Sequence, residues 1–148
     1  NNRKLTQSTI IDITETKKAI ESLNIYKHIV LSSSDQIAFL DSDLRILAVN
    51  NSFIDTFIPD QEDATGKIIT EIFHESTFLQ TLLEYSKRCF TGEEIHSLIW
   101  NDSADEKPEL FDISMFPYFD QKRITKGITI RTKNVTQTLK LEMEVLSL

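Results

Sequence analysis

The sequence predicts an α+β domain: a five-stranded antiparallel sheet with helices packed on one face, preceded by an N-terminal amphipathic helix. Three observations carry that prediction. Two short β-prone runs flank an acidic turn at Asp41-Ser42-Asp43. A stretch over residues 76–90 repeats apolar side chains every three or four positions, and three further β-prone runs follow it, parted by polar turns. Two strands, a helical middle and three strands in hairpin series place one sheet against one helical layer, with an apolar interior between them.

The elements follow in order. Ile13, Ile20, Leu23, Tyr26 and Val30 fall on one narrow stripe of a helix over residues 13–32, interleaved with Glu15, Lys17, Lys18, Glu21 and Lys27. Thr14 is placed to cap that helix, its hydroxyl accepting from an early helical amide. The stripe suits a helix packed on its own domain or a two-stranded coiled coil between protomers. Ser32-Ser33-Ser34-Asp35 then breaks the helix. Residues 36–41 and 44–49 form the first strand pair. Ser52 with Asp55 three residues on reads as a capping box, opening a short helix through Phe53 and Phe57 that stops at Pro59.

Residues 61–73 read as irregular short helices around Gly66, carrying Ile68, Ile69, Ile72 and Phe73. The helix over 76–90 buries Phe78, Leu79, Leu82, Leu83, Ser86, Cys89 and Phe90. Lys87 and Arg88 complement the dipole of its last turn, and Gly92 suits a left-handed cap. Residues 94–100, 110–119 and 124–131 are the last three strands, separated by the polar stretch 101–109 and a turn at 120–122.

Length and composition narrow the function. A chain of 148 residues makes one domain with linkers, large enough to bury roughly 68–70% of its unfolded surface. A net charge of −7 argues against a nucleic-acid partner, which needs a basic face. No apolar run approaches the ~20 residues of a membrane span. The single cysteine, Cys89, excludes an internal disulfide and agrees with a reducing, cytoplasmic setting. The chain starts at Asn1 and stops at Leu148 within a helical pattern, which reads as part of a longer protein.

Specific residues then carry a resemblance. Ile37-Ala38-Phe39-Leu40-Asp41, Arg45-Ile46-Leu47-Ala48-Val49-Asn50 and Gly66-Lys67-Ile68-Ile69-Thr70-Glu71-Ile72-Phe73 come in the order found in the first half of a PAS domain. Thr91-Gly92-Glu93, Pro117 and Gly127 fit its second half, and the last strand runs out into Asn134-Val135-Thr136. The chain resembles this family over residues 33–136, leaving 1–32 as a linker helix from a preceding domain and 137–148 as the start of an outgoing helix. The resemblance implies a non-catalytic sensor and dimerisation module in a receptor such as a histidine kinase or diguanylate cyclase. It also implies a homodimer through the helix over 13–32, contacts with adjacent domains, and in some members a haem, flavin or metabolite between sheet and helices. The family's "D-I-T" string marks the step from sheet to output helix. Asp12-Ile13-Thr14 therefore resembles an incoming junction and Asn134-Val135-Thr136 an outgoing one, with Asp12, Thr14, Asn134 and Thr136 as relay residues. Asparagine replaces the usual aspartate at 134, which predicts that a contact needing the carboxylate is weakened there.

Each candidate chemistry has a plainer reading. His28, His74 and His96 are the available haem ligands, but their positions suit solvated or locally bonded histidines. Cys89 lies outside the "N-C-R-F-L-Q" string of flavin photoreceptors and reads as a small hydrophobe; a flavin without an adduct needs only an aromatic pocket. Phe57, Leu82, Tyr85, Trp100 and Met115 fall on elements that line the interior, as a ligand pocket or, the favoured reading, as core. Arg45 and Arg123 read as solvated rather than as charged anchors. No cofactor, metal site or catalytic pair is expected. Asp112, the one in-strand acid placed to act as a base in an enzyme of similar shape, alternates with Phe111 and Ile113 and so points outward.

Overall fold

The computed structural model describes residues 2–60, 64–102 and 107–148, with side chains from residue 13 onward. The chain divides into two compact units, Asn1–Ser33 and Ser34–Leu148.

The first unit is one helix, α1 (Asn2–Ser32). It runs unbroken through Asp12-Ile13-Thr14, so Thr14 is not the N-cap expected of it. The reason is local: residues 2–11 hold neither proline nor glycine, and nothing stops the helix from propagating through them. All side chains described on α1 are exposed, including the stripe of Ile13, Ile20, Leu23, Tyr26 and Val30.

In the second unit, β1 (Gln36–Asp41) and β2 (Ile46–Val49) pair around the acidic turn. Asp41 Oδ1 accepts from the N–H groups of Asp43 (2.9 Å) and Arg45 (3.0 Å), an Asx-type closure. Leu44 takes φ 61°, so β2 starts later than the expected residue 44. Helix α2 (Asn51–Phe57) is capped by Asn50, not by Ser52. Asn50 Oδ1 accepts from both Phe53 and Ile37 N–H at 3.0 Å, and its Nδ2 donates to Asp35 C=O at 2.8 Å. One fully buried amide thus ties strand, linker and helix together. Ser52 instead donates to Ser34 C=O.

A short helix α3 (Ile69–Ile72) leads to α4 (Thr77–Phe90), whose N-cap is Ser76. Gly92 follows at φ 99°, as a left-handed cap requires. Then come β3 (Ile95–Asn101), β4 (Glu109–Phe119), β5 (Thr125–Asn134) and α5 (Thr136–Leu146). The five strands form one sheet with every neighbouring pair antiparallel, as the sequence predicted, and the structure adds their order, β2-β1-β5-β4-β3. Strand β5 extends past the expected Arg131 to Asn134, which faces Phe111 of β4. Gly127 is needed where it stands: a Cβ there would lie 2.7 Å from Leu40 C=O. Ala38, Leu40, Ile113, Met115, Ile128 and Ile130 form the sheet's buried inner face, sharing one core with Phe53, Phe78, Leu82 and Cys89 of the helices.

Candidate functional site

Two places in the second unit bear on function: the interior beneath the sheet, and the step from β5 into α5.

The interior is filled by phenylalanine rings drawn from separate elements. Phe57 lies with its ring centroid 5.0 Å from Phe73 and 5.8 Å from Phe111; Phe78 lies 5.8 Å from both Phe73 and Phe111. The four rings close a circuit, and Phe53 adds a fifth ring 5.0 Å from Phe57. Edge and tilted contacts of this kind contribute about 0.5–1.5 kcal/mol each beyond burial. The space enclosed among Leu40, Phe57, Phe78, Leu82 and Thr132 is about 10 Å³, at the lower limit for a single water (~10–15 Å³) and far below a ligand pocket (~300–1,000 Å³). Thr132, the polar residue of that lining, has its hydroxyl engaged, donating to Gln36 Oε1 at 2.8 Å.

The residues expected to line the pocket separate accordingly. Phe57 and Leu82 border the small space, and Met115 is fully buried in the same core. Tyr85 packs at the core's edge with its hydroxyl 2.9 Å from Ser97 Oγ. Trp100 does not belong: it is 51% exposed on the opposite face of the sheet. Strand alternation explains this, because Ile95 points inward and Trp100 is an odd number of residues further on. Asp112 is exposed, as alternation predicted.

A haem or flavin does not fit this interior. His28 and His74 are exposed, and His96 lies outside on β3 with Nδ1 3.1 Å from Ser114 Oγ. Cys89 is buried in α4, and burial, then Glu94 and Glu93, push its thiol up to about 11, so it stays protonated at neutral pH. Arg45 is exposed and donates from Nη1 to Gly66 C=O; Arg123 sits exposed in a turn at φ 64°. Among the described residues no group of three or more His, Cys, Asp or Glu could hold a metal, and no helix is long and apolar enough to cross a membrane.

The step into α5 is built differently. Asn134 Oδ1 accepts from both the N–H (3.0 Å) and the hydroxyl (2.7 Å) of Thr136. Thr136 Oγ1 in turn accepts from Leu110 N–H at 2.8 Å, and Val135 N–H donates to Leu110 C=O at 2.8 Å. Asn134 Nδ2 donates to the Glu109 carboxylate. The first residues of β4 and the first turn of α5 are therefore clasped, and Leu110 adjoins Phe111 of the ring circuit. At 134 the amide oxygen takes the acceptor role toward Thr136, and the amide nitrogen finds a partner of its own in Glu109. Glu109 and Leu110 carry no signal that sequence reading could find, since their partners lie 25 and 26 residues away. Thr14 lies within α1, and the Asp12 side chain is outside the described residues.

Comparison with known proteins places this geometry. The family model described as the PAS fold matches residues 30–140. The chain belongs to the PAS fold family. Solved PAS structures agree in fold. A PAS domain from Colwellia psychrerythraea superposes with a TM-score of 0.63 at 14% identity, covering 78% of this chain and 98% of that one. A sensory box sensor histidine kinase from Vibrio cholerae gives 0.55 at 18%, covering 82% and 95%. An RNA-binding light-oxygen-voltage receptor gives 0.61 at 14%; the match covers 84% of this chain but only 37% of the receptor's length. No curated protein sequence matches the chain.

Proposed function

We propose that this PAS domain is a sensor and dimerisation module of a multidomain, bacterial-type signal-transduction protein, itself non-catalytic and cytoplasmic, passing a change in its sheet to an output domain through α5. One observation carries the reading. Glu109, Leu110 and Phe111 are consecutive on β4, and they join the clasp on α5 to the ring circuit of the interior. A displacement of the rings therefore moves the strand that holds the helix. A signal acts here only through its differential affinity for two arrangements of that junction. The packed interior favours an adjoining domain or partner as the input over a ligand in a preformed pocket. The same packing supports a second reading, a ligand-free spacer that holds its neighbours in register.

Output from the full-length protein separates the two. Thr136→Val removes the acceptor for Leu110 N–H and, on the relay reading, changes basal or stimulated output at unchanged expression. Unchanged output leaves the spacer. The exposed stripe of α1 is the proposed dimer contact: sedimentation at roughly tens of micromolar should give a dimer that deletion of residues 1–30 dissociates, and a monomeric starting protein would overturn this. An absorbance scan with native mass spectrometry should return a colourless protein at its bare mass. A haem or flavin band would overturn the packed-interior reading.

A further inference from the structure

We propose that Glu109 is the positioning residue of the outgoing junction, and that its charge makes asparagine rather than aspartate the residue that closes the clasp. The inference deepens the relay reading and rests on it only for its consequence, since the clasp can be tested apart from output. At position 134 two needs compete. Thr136 offers its N–H and its hydroxyl, both satisfied by any side-chain oxygen in the place of Asn134 Oδ1. Beyond them lies the Glu109 carboxylate, an acceptor that requires a donor, and Asn134 Nδ2 supplies it. Aspartate would keep the first pair of contacts, offer nothing to Glu109 and set two carboxylates against each other.

Taken alone, an aspartate just before α5 would be the better residue, because a negative charge is favoured at a helix N-terminus. The sign of Asn134→Asp is thus set by residue 109. With Glu109 present the substitution opens the clasp; with Glu109→Gln, whose amide can donate to Asp, it is neutral or closes it further.

Amide hydrogen exchange on the 148-residue chain reads this at Leu110, Val135 and Thr136, with Ala38 and Ile130 in the sheet centre as the check on folding. Asn134→Asp should lower protection at the three junction amides by about fivefold, the factor for two unit charges about 4 Å apart in water. Glu109→Gln with Asn134→Asp should restore wild-type protection or exceed it. Unchanged or raised protection in the single variant, or a double variant as open as the single, overturns the proposal. Failure of the relay reading would show instead as unchanged output in Thr136→Val, whatever the exchange data say.

Discussion

The interior and the outgoing junction meet on one strand, yet they are held by opposite means. Beneath the sheet, rings from α2, α4 and β4, with Phe73 beside α3, fill the space by shape alone, and the polar group that borders it is already bonded. At the junction, polar groups on β4, β5 and α5, from exposed Asn134 through half-buried Glu109 and Thr136 to the buried Leu110 N–H, are fixed by hydrogen bonds. A packed core resists small displacements and transmits them. A hydrogen-bonded step at the rim opens more easily than a packed core, since each neutral bond is worth about 0.5–1.5 kcal/mol. The stiff part therefore suits carrying a displacement and the soft part suits responding to it.

Substitutions should cost most in the interior. Phe111→Ala removes a ring from the circuit and should cost about 3–5 kcal/mol in urea unfolding; a loss below about 1 kcal/mol would mean that the circuit is loosely packed. Asn50→Ala comes next, at about 1–3 kcal/mol, because Phe53 and Ile37 N–H lose their acceptor in a buried place. Its exchange signature should stay in the β1–α2 corner, and spread to Thr136 would mean that this corner and the junction open together. Trp100→Ser, outside both regions, should shift stability by no more than about 0.5 kcal/mol. A cost of several kcal/mol would return Trp100 to the core.

The smallest effect is a local pH response at the β4–β5 turn. The N–H groups of Ile124 and then Lys122, with Lys126 nearby, hold the Asp120 carboxyl below its ordinary value. A depressed acid stabilises the fold fully above its unfolded value, and that contribution fades as pH falls through its lower folded value. Amide shifts of Lys122 and Ile124 should therefore change only below about pH 4. A transition centred near neutrality would contradict the assignment.

What the sequence made legible follows from range. Periods of two and near four gave the strands and the helix over Thr77–Phe90, because alternation and helical stripes are local. The cap lies two positions before the one that local pattern indicates, since Ser52-x-x-Asp55 has the form of a box while Asn50 answers to Ile37 on the neighbouring strand. Trp100 sits on a strand that lines the interior, but its phase on that strand turns it outward. The two similar strings, Asp12-Ile13-Thr14 and Asn134-Val135-Thr136, proved unlike: one lies in a continuous helix, while the other leaves a paired strand. A three-residue string acquires its role from the ladder that precedes it. The Glu109–Asn134 contact and the four-ring circuit join distant segments, and no local pattern encodes either.

Amide exchange in Phe57→Leu reads whether the rings reach α5 through the first residues of β4. Phe57 touches Phe111 but makes no bond at the junction. Protection should change at Leu110, Val135 and Thr136, and stay at the wild-type level at those amides in the control Leu47→Ser on the exposed side of β2. Identical junction protection in a folded Phe57→Leu protein would contradict that route.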